Sequence, residues 1–473
     1  MATPREGLGV SATIAEYAAS MTAEGVPRAA IRSASLSLMD HLGASLAATT
    51  LGEGCEAFVG LAADEAGTGH STLLASGLRV PAAAAALANG ALSHALDFED
   101  SVDGLPVHPN AQVIPAVLAL AEDRDASGER LLTAIAVGCD LTARVAAAGG
   151  DLMARRGWYP PPLAGAIGAT VACANLVGLS PAQTLDALSL VQLQVSAPGE
   201  IKHAPESTLR GVRDAFAAHA AVRSVALAER GVRGFDEPLE GRAGFFTAYA
   251  GESWDDEELL RGLGRAFRGT EVSYKPWPSC RGTHAFLDAC VELHGTVAVQ
   301  DIEAVELLGA PVNTMLAEPR SSKIAPKTAI DAKFSLPFTT ATALIDGTIT
   351  LASFAREALA RPDVLSLAER VTFVPDPSFD VPERMTAGRT TVRLTGGRTI
   401  VVDTPYPPGN PAAPLGLDTL RRKFVDCATH ARTTLADPHA FADSLLAIAS
   451  APSVRQVMAS QFPAPQPADA VVG

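Results

Sequence analysis

The chain of 473 residues has no closely spaced pair of cysteines. Its six cysteines, Cys55, Cys139, Cys173, Cys280, Cys290 and Cys427, are scattered, which excludes a zinc ribbon and a cysteine-ligated cluster motif. Such isolated thiols read as reduced and buried, and the expected location is cytoplasmic. Aromatic residues are only 5% of the chain while alanine is abundant, so helices packed through small side chains are expected rather than a β-sandwich. Positive charge is also short: 37 Lys and Arg against 52 Asp and Glu give a net charge of −15. That argues against nucleic acid or an anionic membrane as partner, since both need a basic face. It leaves room for a small anionic substrate, because a few buried cations govern the local field. The opening M-A-T-P-R-E-G lacks the apolar run of a signal peptide. The longest uncharged run, Pro160 to Leu185, holds four prolines and three glycines and reads as a buried helix rather than a membrane span. Neither an H-E-x-x-H element nor a serine-nucleophile elbow occurs. The glycine-rich stretches at Gly149-Gly150 and Gly262-Leu263-Gly264 are expected as turns, not dinucleotide loops, because neither follows a strand. No ligand set of recognisable spacing is present, so neither metal nor cofactor is expected.

The length calls for two domains. Residues 1–269 read as successive helices, with segments Pro115 to Glu122, Ser127 to Ala148, Leu163 to Leu176, Ser180 to Val195 and Asp214 to Arg230. Residues 270–408 change character. Ile302 to Leu308 and Arg370 to Val374 read as strands, and Thr390 to Leu394 with Thr399 to Val402 as a hairpin around Gly396-Gly397. Residues 409–460 return to helix, and 461–473 read as a disordered, Pro/Ala-rich tail. The expected fold is mostly α: a large all-helical domain interrupted by a smaller, lid-like α+β domain.

The stretch richest in chemistry runs from Ala88 to Asn110. An uncharged Ala-rich helix leads into His94, Asp97, Glu99, Asp100, Asp103 and His108. A helix that ends this way brings ionisable groups to the edge of a packed core, where their pKa values are shifted and can serve proton transfer. Asp97 is the first candidate acid/base group, its pKa expected to rise on burial. His108, in a loop held by Pro106 and Pro109, is the second, expected to titrate near neutral pH. A second block, Tyr274-Lys-Pro-Trp-Pro-Ser-Cys-Arg-Gly-Thr-His284, places Lys275, Arg281 and His284 on a backbone stiffened by prolines. Such a basic cluster suits a di- or tricarboxylate, with Arg281 as the bidentate contact and Lys275 as the point charge. A plain salt-bridged loop between domains is the alternative for this block.

Four blocks together resemble the MmgE/PrpD family, which includes 2-methylcitrate dehydratase, cis-aconitate decarboxylase and an iminodisuccinate epimerase. They are A-N-G-A-L-S-H-A-L-D-F-E-D-S followed by His108-Pro109, L-E-G-R-A-G-F-F at Leu239 to Phe246, the Tyr274 block, and D-A-K-F-S-L-P-F at Asp331 to Phe338. They fall in family order over nearly the whole chain. The resemblance implies the same two-domain arrangement, a homodimer, and catalysis by Asp97, His108 and Lys275, with Ser101 at a hydroxyl position suited to a substrate carboxylate. Four departures stand out. First, Tyr159 replaces a histidine; second, Arg210 replaces a lysine and Arg213 a histidine; third, Phe338 replaces a tyrosine; fourth, a nearby Lys202-His203 pair could substitute but aligns only with a shift. Apart from these, Cys280 stands where the decarboxylase branch has histidine. Arginine does not readily give up a proton, so Arg210 is expected to bind rather than to act as a base. Tyr159, Arg210, Arg213, Cys280, Arg281 and His284 join Ser101 as candidate substrate-binding residues. The expected activity is a cofactor-independent lyase acting next to a carboxylate, dehydratase-like, with epimerase or decarboxylase chemistry as the alternative. The departures also admit a catalytically lapsed dimer that only binds a small acid.

Overall fold

The computed structural model describes residues 8–204, 207–382 and 384–463. Two hydrophobic cores divide them. The larger runs from Ile14 to Tyr274 and resumes from Leu420 to Phe462, while the smaller runs from Trp277 to Leu394. The chain therefore leaves the helical body, builds a second unit and comes back, through helices Leu417–Ala428, Pro438–Leu446 and Val454–Gln461.

Two long apolar helices, Gly128–Arg155 and Pro160–Val177, form the centre of the helical body. Both are long and apolar enough to cross a membrane by length and composition, but both are buried in the core. Small residues set their distance. A Cβ on Gly138 would stand 2.6 Å from the Ala172 methyl, and one on Gly168 only 1.9 Å from the Thr142 hydroxyl. Overpacking of that kind costs about 1–3 kcal/mol. This is why an Ala/Gly-rich, aromatic-poor sequence can pack large helical layers.

The expected turn at Gly149-Gly150 is corrected: both residues lie inside the helix Gly128–Arg155. Gly149 faces Phe246 and Ala250, where a Cβ would approach to 3.2 Å, so close packing and not chain reversal calls for glycine. Gly262 and Gly264 do turn the chain, at φ +66° and +74°. The helix expected from Pro115 starts earlier, at Pro109, with Pro115 inside it. The expected tail is corrected at its first residues, since Gln461 closes a helix and Phe462 is fully buried, its ring 5.9 Å from that of Phe441. The rest of that tail, 464–473, lies outside the described residues.

The second unit holds a four-stranded sheet in the order Val371–Pro375, Ile302–Gly309, Gly388–Leu394, Thr399–Thr404. The first pair is parallel and the others antiparallel. Gly396 and Gly397, both at φ +85°, close the expected hairpin. The contact that positions the site is smaller. Ser101–Val102 pairs antiparallel with Val272–Ser273, Ser101 opposite Ser273. This two-residue ladder ties the loop after the Ala-rich helix to the segment that carries Lys275.

Candidate active site

The Ala-rich helix spans Ala82–His94, with only small or apolar residues and Asn89 before Ser93-His94. Asn89 anchors it by donating to the Thr72 carbonyl at 2.8 Å and accepting from the Leu74 N–H at 3.2 Å. After His94 the chain turns sharply. Asp97 adopts φ +49°, in the left-handed region that Asp tolerates better than most residues, and its N–H returns to the His94 carbonyl at 2.8 Å. The turn aims His94, Asp97 and Glu99 into one enclosed spot, where all three are fully buried. His108 joins them as the residue preceding the next helix, its ring centroid 4.7 Å from that of His94.

Lys275 meets this group from the other chain segment. Its ammonium, fully buried, donates to the Asp97 carboxylate at 2.5 Å and to the Asp97 carbonyl at 3.0 Å. The charges follow from this pair. Burial alone would raise the Asp97 carboxyl, but Lys275, with help from His94 and His108, outweighs it and holds Asp97 well below the usual carboxylate range. The expectation of a raised Asp97 is thereby corrected, because the partner ammonium was not visible in the local sequence. Burial lowers Lys275, but Asp97 and Glu99 raise it above its ordinary value, so the pair stands ionised. His108 is corrected as well. Burial first, then the Lys275 cation, push it down to about 3, so it stays neutral at ordinary pH.

Glu99 is the hub that sequence reasoning passed over. Its Oε1 contacts the Nδ1 of His94 and lies 3.2 Å from the Nδ1 of His108. His94, five residues back, was equally unassigned. Donor atoms of His94, Asp97, Glu99 and His108 all lie within 4.8 Å of one another. The sequence shows no ligand set of recognisable spacing, yet the fold gathers four such side chains that no fixed spacing announces. The Lys275 ammonium already supplies a cation to this group, against Asp97. Behind it, Asp100 accepts from Ser37 at 2.9 Å and Asn110 at 2.5 Å; burial raises its carboxyl to about 7.

Models of two domains match the chain: the MmgE/PrpD N-terminal domain over residues 12–257 and the MmgE/PrpD C-terminal domain over residues 277–438. The chain belongs to the MmgE/PrpD family. A cis-aconitate decarboxylase-like protein of Aspergillus oryzae is 28% identical over 76% of this chain and 78% of its own. The cis-aconitate decarboxylase of Homo sapiens is 27% identical over 73% of each chain. That of Aspergillus terreus is 25% identical over 85% of this chain and 86% of its own. With these relatives, this MmgE/PrpD member is an enzyme of the lyase kind.

Three of the departures from the family pattern, Tyr159, Arg210 and Arg213, gather in one wall. Arg213 lies at the entry to helix Asp214–Glu229, with its guanidinium carbon 5.0 Å from the Tyr159 ring centroid and one N–H donated to the Arg210 carbonyl. Its Nε and Nη2 are buried and have no hydrogen-bond partner, although Nε lies 3.6 Å from the buried Asp214 carboxylate, which pairs its charge. Arg210 stacks on Phe334 at 3.5 Å, and its Nε and Nη2 are likewise buried and unpartnered. Ser101 Oγ is buried without a partner as well. Beside Arg210 a cavity of about 440 Å³ opens, lined also by Lys202, His203 and Lys323. Phe338 is buried in the smaller core, its ring 6.3 Å from that of Phe354.

Three sequence candidates do something else. Arg281 grips Asp103 with two hydrogen bonds of 2.8 Å and donates to the Pro407 and Pro408 carbonyls. Its donors are committed to a tie between the two units, the alternative that the sequence had left open, and not to substrate. His284 is fully buried, pointing Nε2 at the Ser279 carbonyl at 3.2 Å and Nδ1 at Arg281 at 3.3 Å, so it braces the loop. Cys280 stands near Asp97, but burial first and then that carboxylate push its thiol up to about 11. Lys333 lies within the Asp331 to Phe338 block. It is fully buried over Phe354, donates to the Pro278 carbonyl at 3.0 Å and takes the Cys280 N–H on its own carbonyl at 3.0 Å. It clamps the loop that carries Lys275.

Proposed function

We propose that this enzyme is a lyase that removes a proton next to a carboxylate of a small di- or tricarboxylic acid and then expels a group from the neighbouring carbon. The observation that carries the reading is that Arg213, with buried donors that lack hydrogen-bond partners and one N–H bonded to the Arg210 carbonyl, lies close enough to the cluster for its charge to lower the His94 imidazole. Uncommitted guanidinium N–H groups of Arg210 and Arg213 stand ready for carboxylate oxygens, and neutral imidazoles stand ready for a proton. Buried arginine donors without partners are costly to the folded state, and a carboxylate ligand satisfies them with charge-assisted hydrogen bonds. Lys275 then faces the charge that grows as the proton leaves, which is where fixed electrostatic stabilisation matters most.

Water elimination is the first outcome supported, since a neutral imidazole is an acceptor and elimination begins with proton removal. Decarboxylation is the second reading, and the names of the relatives favour it. Epimerisation between two faces of one carbon is less favoured, because His94 and His108 lie side by side, with ring centroids 4.7 Å apart, rather than across a cavity.

The test is turnover on citrate, methylcitrate, cis-aconitate, tartrate-like and amino-dicarboxylate substrates, followed by proton NMR in deuterium oxide. New vinyl protons from a hydroxy acid support elimination, and loss of carbon dioxide from an unsaturated acid supports the second reading. Deuterium exchange without net conversion points to epimerisation. No change with any of these acids, together with tight binding of one of them, would mean a lapsed enzyme.

A further inference from the structure

Glu99 touches both imidazoles through the same nitrogen of each ring. His94 Nδ1 contacts Glu99 Oε1. His108 Nδ1 lies 3.2 Å from the same oxygen and 3.0 Å from the Asp100 carbonyl oxygen. A carboxylate and a carbonyl only accept hydrogen bonds, so each Nδ1 must carry the proton. In a neutral imidazole the other nitrogen, Nε2, is then a bare lone pair. For His94 that Nε2 is fully buried and has no hydrogen-bond partner. An imidazole held on one side and free on the other is the arrangement of a poised base whose orienting carboxylate keeps its tautomer.

We propose that Glu99 is a positioning residue that locks His94 as the Nδ1–H tautomer, as the Asp100 carbonyl does for His108, and that His94, through Nε2, is a catalytic residue that takes the substrate proton. This rests on the reading of the site as a lyase centre. In the step, the C–H bond next to the substrate carboxylate breaks and an N–H bond forms at Nε2. The electron pair stays on the substrate as an enolate spread into that carboxylate, against Lys275. The imidazolium is balanced by the Glu99 carboxylate. The enolate's electron pair then closes a C=C bond as the C–O bond on the neighbouring carbon breaks, and the same proton passes from Nε2 to the departing hydroxyl, which leaves as water and frees Nε2. Arg213 supports the scheme. Burial and then this cation hold His94 well below its ordinary value, so it enters the step neutral.

The experiment has two arms, and the first needs no substrate. Full-length protein labelled with ¹⁵N-histidine is followed by long-range proton–nitrogen correlation from pH 5.5 to 8.5, with His94→Gln and His108→Gln to assign the two rings. Both rings are expected to remain neutral with the proton on Nδ1 throughout. An Nε2–H tautomer or an imidazolium at either ring in that range overturns the proposal. The second arm uses any acid that the wild type turns over. His94→Gln is expected to lower kcat by about 10²-fold, the usual size for a lost general base, with KM nearly unchanged. Added imidazoles are expected to rescue His94→Ala, better as their basicity rises. Glu99→Gln is expected to lower kcat and to scramble the His94 tautomer, and Glu99→Asp to restore part of both. His94→Gln with wild-type turnover also overturns the proposal. If the wild type turns over none of the acids, the lyase reading fails by itself, and the tautomer arm still decides the role of Glu99 and the state of His94.

Discussion

Replacing Lys275 by Met isolates the energetic centre of the site. Lys275 and Asp97 are both fully buried and their charged atoms are 2.5 Å apart. At an effective dielectric constant of about 20, that separation corresponds to roughly 7 kcal/mol of attraction, offset by several kcal/mol of lost hydration for each ion. Removing the lysine alone keeps the cost for Asp97 and loses the attraction, so a loss of about 3–5 kcal/mol is expected near neutral pH. For a chain of this size, with an unfolding entropy of about 1 kcal/mol per degree, that is a fall in Tm of roughly 3–5 °C. The pH dependence gives the sign. In the wild type the Asp97 carboxyl is depressed, so its contribution is present above the unfolded value of about 3.9 and fades only as pH falls below that. In Lys275→Met the main opposition to burial is gone, and the carboxyl moves up. The variant then binds a proton more tightly when folded than when unfolded, and its deficit against the wild type widens as pH rises from about 4 toward the new folded pKa. Thermal unfolding at pH 4.5, 6 and 7.5, read by calorimetry and by the fluorescence of Trp158, Trp254 and Trp277, covers both units. The double variant Lys275→Met/Asp97→Asn should recover more than half of the loss. A single variant within about 2 °C of wild type at pH 7.5, with a double variant no better, would refute the buried-pair argument.

Three further outcomes follow from the site. His108→Gln should lower turnover by about 10²-fold with the fold intact by circular dichroism, as expected for a proton-transfer group, whereas Arg281→Lys should spare the chemical step and lower the temperature at which the two units part. Activity should survive exhaustive chelation, since Lys275 already supplies a cation beside Asp97; loss restored by one divalent ion would assign that role to the His94–Asp97–Glu99–His108 group instead. We further propose a homodimer from the extensive Ala-rich helical layers, to be checked by light scattering at micromolar concentration, where a monomer of about 48.7 kDa would contradict it.

Much of the architecture was legible because local signals and packing agree. The helix start at Ser180, the hairpin at Gly396-Gly397 and the strand from Ile302 all sit where the sequence puts them. Gly149-Gly150 misled because glycine has two uses. In a turn it supplies positive φ, while in a tightly packed helix it supplies the missing Cβ, and only the partner, here Phe246 and Ala250, distinguishes them. Phe462 was lost in a Pro/Ala-rich context that says nothing of the pocket beside Phe441.

The gathering of the candidate acid/base residues was legible in the sequence, and their charges were not. Asp97, His108 and Lys275 do come together, yet the expected raised carboxyl and neutral-range histidine both fail for one reason: a pKa depends on the partner across space. Lys275 is distant from Asp97 in sequence, and the two-residue ladder at Ser101–Val102 that joins their segments has no sequence signature. Glu99 escaped notice for the same reason. Five residues from His94 it fits no helical spacing, and it reaches both imidazoles only because Asp97 turns the chain at φ +49°. Arg281 shows the converse. A guanidinium beside prolines in a basic block looks like a substrate clamp until its donors are counted, and Asp103 with two backbone carbonyls already occupies them. The arginines with donors to spare are Arg210 and Arg213, the two that depart from the family pattern. A lysine or histidine at those positions would offer a point charge or a titrating ring, whereas two fixed forks against Tyr159 and Phe334 demand planar anions. Substrate choice in this enzyme is therefore expected to lie in that wall, while the proton chemistry lies in the cluster around Glu99.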